Sequence, residues 1–132
     1  MNTTTIKQNV LIPASPKEVY QAFVDPKIHS AFTGAKATGK PNVGEKFTAW
    51  DGYITGKHRI LVEGKQITQD WQTSEWPEGY GPSELNLTFK PKNNGTEITM
   101  VHSKVPEEQA EDYRQGWIEH YWEPLKKYFE RK

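Results

Sequence analysis

At 132 residues the chain has room for one domain of ordinary size, and its 17 Lys plus Arg balance 17 Asp plus Glu. Without a net field or a basic cluster, nothing gathers a polyanion, so nucleic acid is not an expected partner. The chain contains no Cys, which excludes disulfides, thiolate metal sites and Cys nucleophiles together.

A first strand is predicted over 5–12, where Ile6, Val10 and Ile12 share one parity. Pro13-Ala14-Ser15-Pro16 stops it. Ser15 is an N-cap with Pro16 at the first helical position, and Glu18 three residues on completes a capping-box pattern. The helix it opens carries Val19, Tyr20, Phe23 and Val24 on one face until Asp25-Pro26 breaks it. A short helical turn is expected over 27–32, then a loop over 34–44.

Turn chemistry marks the strands that follow. Asp51-Gly52, Glu63-Gly64 and Asn94-Gly95 each lie between β-rich runs, and Asp-Gly and Asn-Gly are strong hairpin signals. Strands over 47–50, 53–62 and 66–72 pair in order, and a stiff loop over 76–82 separates them from a hairpin of 83–90 with 96–104. Leu85, Leu87 and Phe89 alternate with Glu84, Asn86, Thr88 and Lys90, as Ile98 and Met100 do with Glu97 and Thr99. Such strands pack one face and wet the other, as an antiparallel sheet allows. On 53–62, His58 shares parity with Ile54, Ile60 and Val62.

Residues 106–132 read as one long helix. Ala110, Tyr113, Trp117, Tyr121, Leu125 and Tyr128 recur at three- and four-residue spacing, with Ile118, Trp122 and Phe129 beside them. Glu107, Glu108, Glu111 and Asp112 load its start, and Lys126, Lys127, Arg131 and Lys132 its end, the order the macrodipole favours. Pro124 removes the bond to the carbonyl of His120, so a bend is expected there with the stripe continuing past it. The element order gives an α+β domain over 1–132: a curved antiparallel sheet of about six strands wrapped around the long helix, with two short helices after the first strand.

Three stretches carry a family resemblance. "ASPKEVYQAFVDP" resembles the first helix of START-like (SRPBCC) domains, and "FTAWDGYITGK", with the strand ending in Trp71 and "WPEG", is similar to one branch of them. "GTEITMVHSKVPEEQAEDYRQGWIEHYWEPLKKY" resembles the C-terminal signature of the family named for the activator of the 90-kDa heat-shock protein ATPase. The match runs from about Ile6 to Phe129 and implies a helix-grip fold with a cavity between the sheet and the last helix. It also implies a heat-shock chaperone as a candidate partner, in the manner of a stand-alone counterpart of the activator's C-terminal domain.

Candidate sites follow from these placements. His102 shares the parity of Ile98 and Met100 and faces the interior. It reads either as a neutral core histidine or as the polar anchor of an apolar cavity. The ligand-facing set is His58, Trp71, Leu87, Met100, His102, Tyr113, Trp117 and Tyr121. Trp76 and Tyr80, in the stiff loop, are candidates for partner contact. His29 and His120 are expected to be partly exposed. No histidine pair stands at metal-ligand spacing, no serine sits in a nucleophile elbow, and Gly34, Gly39 and Gly44 form no phosphate loop. The carboxylates fall on polar parities, so no catalytic residue and no cofactor is expected. No apolar run approaches the ~20 residues of a membrane span, and no signal pattern opens the chain, so membrane insertion is not expected and a cytoplasmic location is. The Asn-x-Thr triplets at Asn2, Asn86 and Asn94 then read as accidental. The functional expectation is a non-catalytic domain holding a small hydrophobic or amphipathic ligand. The alternative is a co-chaperone-like domain that modulates the 90-kDa heat-shock protein ATPase.

Overall fold

The computed structural model describes residues 2–130. Strand β1 (Thr3–Ile12) leads into helices α1 (Pro16–Val24) and α2 (Pro26–Thr33). Ser15 Oγ accepts the Glu18 amide at 3.2 Å, and Glu18 Oε1 accepts the Ser15 amide at 3.1 Å, the reciprocal box that starts α1. Asp25 ends α1 and starts α2: its amide bonds the Gln21 carbonyl, and its carboxylate accepts the Lys27 amide at 2.9 Å. Helix α1 buries Val19, Tyr20, Phe23 and Val24 as their spacing requires.

Six strands follow: β2 (Thr38–Gly39), β3 (Lys46–Ala49), β4 (Ile54–Val62), β5 (Gln66–Thr73), β6 (Ser83–Lys92) and β7 (Gly95–Pro106). The antiparallel sheet runs β1-β7-β6-β5-β4-β3-β2, so the first strand pairs with the last. Its seventh strand is β2, two residues long, inside the span expected to be a loop. Thr38 and Thr48 hydroxyls meet at 2.6 Å across that short pairing.

Alternation sets the inner face, where Leu85, Leu87, Phe89, Ile98, Met100 and His102 are all buried. Two irregularities reset it. On β4 the pairing slips between His58 and Ile60. Ile54 and His58 face the core, but Ile60 and Val62 are 44% and 42% exposed, which corrects the unbroken parity expected through Val62. An extra residue in one strand rotates everything after it. On β7, Lys104 adopts φ 61°, the β1 register shifts beside it, and Val105 faces inward in its place.

The last helix is composite: a 3₁₀ turn (Glu107–Gln109), α3 (Ala110–Trp117), a π turn (Ile118–Trp122) and α4 (Glu123–Glu130). Arg131 and Lys132 lie outside the described residues. The stripe Ala110, Tyr113, Trp117 and Tyr121 is buried, but it then continues through Trp122, Leu125 and Phe129. Tyr128 is only half-buried and Ile118 is exposed, both against expectation. A π turn holds an additional residue, so the helix beyond it lags by about 100° and presents a different set. Pro124 explains its position. The ring has no amide for the His120 carbonyl, and the Glu123 amide reaches back five residues to Ile118. The bend expected at Pro124 is thus taken up as a widened turn before it.

Candidate functional site

Helix and sheet do not close completely on each other. A cleft of about 590 Å³ remains between the helix and the β3–β4 side of the sheet. That lies within the ~300–1,000 Å³ typical of small-molecule sites. Its floor is Trp71 of β5 with Ile54 of β4; one wall is Tyr113, Gly116, Trp117 and Tyr121, and the other is Trp50 and Tyr53 from the β3–β4 turn. Ring contacts fix these surfaces. Trp71 meets Trp117 at 5.9 Å and Tyr113 edge-on at 5.5 Å, and Trp117 meets Tyr121 at 4.6 Å.

Trp50 stands there by unusual means. It has φ 54°, and Asp51 and Gly52 follow at 57° and 89°, three left-handed residues in a row. A bulky side chain in that region costs ~1–3 kcal/mol, so packing must hold it. Its ring lies 5.5 Å from His120 and 6.4 Å from Tyr121, across the cleft wall. Gly116 is the other exception. Within α3 a Gly costs about 1 kcal/mol against Ala. A Cβ there would meet only His120 Cδ2, at 3.9 Å, so its bareness leaves space in the cleft rather than relieving a clash.

The sequence did not single out Trp50, Tyr53 or Gly116. For Gly116 a signal existed, an isolated glycine inside a strongly helical pattern. Trp50 had none, because its place depends on the turn's left-handed path.

Polar groups ring the mouth. Tyr53 donates to Glu75 Oε1 at 2.6 Å, and burial, reinforced by that bond, raises its phenol well above the usual range. The Tyr113 hydroxyl donates to Gln109 Oε1 at 2.9 Å and lies 2.6 Å from Thr73 Oγ1; Gln109 in turn donates to the Glu75 carbonyl at 2.7 Å. The phenol of Tyr121, raised by burial, lies 2.9 Å from His29 Nε2. His29 Nδ1 lies 3.1 Å from the Phe23 carbonyl, which can only accept, so Nδ1 carries the proton and Tyr121 donates to Nε2. His29 is buried, not partly exposed as its sequence context suggested, and burial lowers its pKa. His120 is exposed at the mouth.

The histidine expected to face the cavity lies one layer deeper. His102 is fully buried, 4.7 Å from the Trp71 ring. Trp117 Nε1 donates to its Nδ1 at 3.2 Å, which leaves the proton on Nε2 to be donated to Ser83 Oγ at 2.7 Å. The Ser83 hydroxyl passes its own proton to the Trp71 carbonyl at 2.8 Å. Every member is satisfied, and burial lowers the imidazole to about 3. His58 is also buried, stacked on Phe47 at 5.0 Å with Gln69 Nε2 3.3 Å from its Nδ1. Leu87 and Met100 are closed core. Of the ligand-facing candidates, Trp71, Tyr113, Trp117 and Tyr121 converge on the cleft, whereas His58, Leu87, Met100 and His102 do not line it.

With this geometry, a comparison with known proteins has a definite meaning. The family model described as "Activator of Hsp90 ATPase homolog 1-like protein" matches residues 13–130. The chain belongs to that family. The human Activator of 90 kDa heat shock protein ATPase homolog 1 is 38% identical over 125 residues, which is 95% of this chain but 36% of the human protein. The chain thus spans about a third of that relative. An HSP90 activator from Plasmodium falciparum superposes with a TM-score of 0.87 at 20% identity, covering 96% of both chains. The Aha1 dimer from Colwellia psychrerythraea gives 0.76 at 19% identity over 92% of this chain and 96% of that one. At such identities these two likenesses establish the fold, the helix-grip arrangement.

For this member of the activator family, the loop aromatics have defined positions. Trp76 packs 6.0 Å from Trp71 and 5.8 Å from Tyr113, and its indole donates to the Gly81 carbonyl at 2.9 Å. Tyr80 donates from a half-buried position to Glu108 Oε1 at 3.0 Å and lies 3.2 Å from the Asn2 carbonyl. Both brace the loop against the start of the helix. Among the described residues no cluster of metal-binding side chains occurs, and no helix is long and apolar enough to cross a membrane.

Proposed function

We propose that this domain is a binding module, not a catalyst, and that a small hydrophobic or amphipathic molecule occupies the cleft between sheet and helix. The observation that carries the reading is the cleft itself: about 590 Å³ walled by Trp50, Trp71, Tyr113, Trp117 and Tyr121, with Gly116 leaving its side open. Apolar walls supply affinity, and a few polar groups at the rim fix orientation. His102 supports Trp71 and Trp117 from behind and does not touch the guest, and its two nitrogens are already engaged. A domain whose buried polar groups are satisfied internally fits binding better than acid/base chemistry.

The test uses N-phenyl-1-naphthylamine, an uncharged fluorescent probe. Parent protein should bind it saturably. Gly116→Leu, which grows a side chain into the cleft, should lose binding while melting no lower than the parent. Equal binding by both proteins would place the probe elsewhere and remove the cleft from consideration.

A second reading rests on kinship. The human relative is by its name an activator of the 90-kDa heat shock protein ATPase, and this chain matches 36% of it. Docking on such a chaperone would use the outer surface, with the loop of Trp76 and Tyr80 as its first candidate. Retention of the cognate chaperone on immobilised domain, lost in Trp76→Ala/Tyr80→Ala, supports that reading; no retention counts against it.

A further inference from the structure

We propose that the guest of the cleft is an amphipathic cation, an apolar body with an ammonium-type head. This rests on the cleft being a ligand site and adds the charge of its occupant. Two independent features point the same way. The first is the carboxylates at the mouth: Glu75, Asp112 and Glu119 lie among the cleft residues, and no Lys or Arg does. None of the three takes part in an ion pair among the described residues; the pairs present are Arg59–Asp70, Lys92–Glu97 and Arg114–Glu111. Their hydrogen bonds come from uncharged donors, Tyr53 to Glu75 at 2.6 Å and Gln115 to Glu119 at 2.8 Å, which leave the negative charge uncancelled. In a chain of zero net charge this is a local field with one sign.

The second feature is the wall. Trp50, Trp71 and Trp117 border the same space. Indole faces carry negative quadrupole potential and attract cations, most strongly where water is partly excluded. A fatty-acid-like anion would bring its head to three like charges and gain nothing from the indoles. A cation gains from both.

Tryptophan fluorescence titrations with n-octyltrimethylammonium, 1-octanol and octanoate, equal in chain length and differing in charge, provide the test. In the parent at low salt the cation should bind tighter than octanoate by about tenfold, the combined scale of weak surface charge and cation–π terms, and the gap should narrow in high salt. In the triple variant Glu75→Gln/Asp112→Asn/Glu119→Gln the lead of the cation over octanoate should shrink severalfold and lose its salt dependence, leaving the share of the indoles, with the melting temperature retained. Octanoate binding as tightly as the cation, or a preference undiminished in the triple variant, overturns the proposal. Octanol bound in the parent and blocked by Gly116→Leu, without any charge preference, overturns the cation alone and leaves the cleft reading intact. If none of the three probes binds, the cleft reading falls and takes this one with it.

Discussion

His102 is a buried imidazole whose protonation state is dictated by its neighbours. Trp117 can only donate, so Nδ1 must accept, and the ring stays neutral with Nε2–H on Ser83. Burial holds its pKa at about 3, while an unfolded histidine titrates near 6.5. Between these values the unfolded chain binds a proton that the folded chain refuses. Stability from His102 is therefore complete above about pH 6.5 and is lost as pH falls toward 3, at up to ~1.4 kcal/mol per pH unit. His29 and His58, also lowered by burial, add in the same direction. His102→Leu should cost ~1–3 kcal/mol at pH 7 by leaving the Trp117 indole without an acceptor. Its urea-derived stability should then fall less steeply in acid, so that parent and variant converge; parallel curves would assign the acid sensitivity elsewhere. Trp117→Ala is the harsher change, because the ring contacts Trp71, His102, Tyr121 and Trp122. A loss of ~3–5 kcal/mol is expected. A melting temperature within a few degrees of the parent would show that the ring is not structural.

At the scale of elements, the periods were legible and the single-residue insertions were not. Capping at Ser15, the hairpins and the inner faces of β6 and β7 follow from local chemistry that the sequence displays. The slip on β4 and the π turn do not, because each is an added residue whose position is chosen by what must be buried on both sides of it. A strict 3.6-residue count carries Tyr128 inward; the structure buries Phe129 instead. Pro124 offers a way to test what maintains the wide turn. Deleting exposed Glu119 would restore an α turn and keep Trp117, Trp122 and Leu125 in phase, but would press the Pro124 ring on the His120 carbonyl. That variant should lose ~3 kcal/mol or more. Pro124→Ala alone should stay within ~1 kcal/mol of the parent, since the phase set by burial is unchanged. Combined, the two changes should recover most of the loss, a coupling of ~2–3 kcal/mol measurable by denaturant titration. Additive effects would separate Pro124 from the π turn.

For the whole molecule, the sequence conveyed that sheet and helix bury each other but not where they fail to meet. The aromatic stripe of Tyr113, Trp117 and Tyr121 and the floor at Trp71 were readable as an interior surface. The family resemblance implied a cavity between sheet and helix, but not its wall at Trp50, which depends on a left-handed turn. Any molecule bound there in the native state alone must raise stability by mass action, by about 2.7 kcal/mol at a hundredfold excess over Kd. Protein isolated gently from its own host should therefore melt higher than the same protein denatured, desalted and refolded, by roughly 5–10 °C for a domain of this size. Organic extraction of the first preparation should release the molecule. Gly116→Leu supplies the control: its melting temperature should be the same before and after stripping, and should equal or exceed that of stripped parent, because removing a helical glycine is worth up to ~1 kcal/mol. A parent that melts identically in both preparations and yields nothing on extraction has an empty cleft in its host, and the ligand reading would then give way to docking through the outer surface.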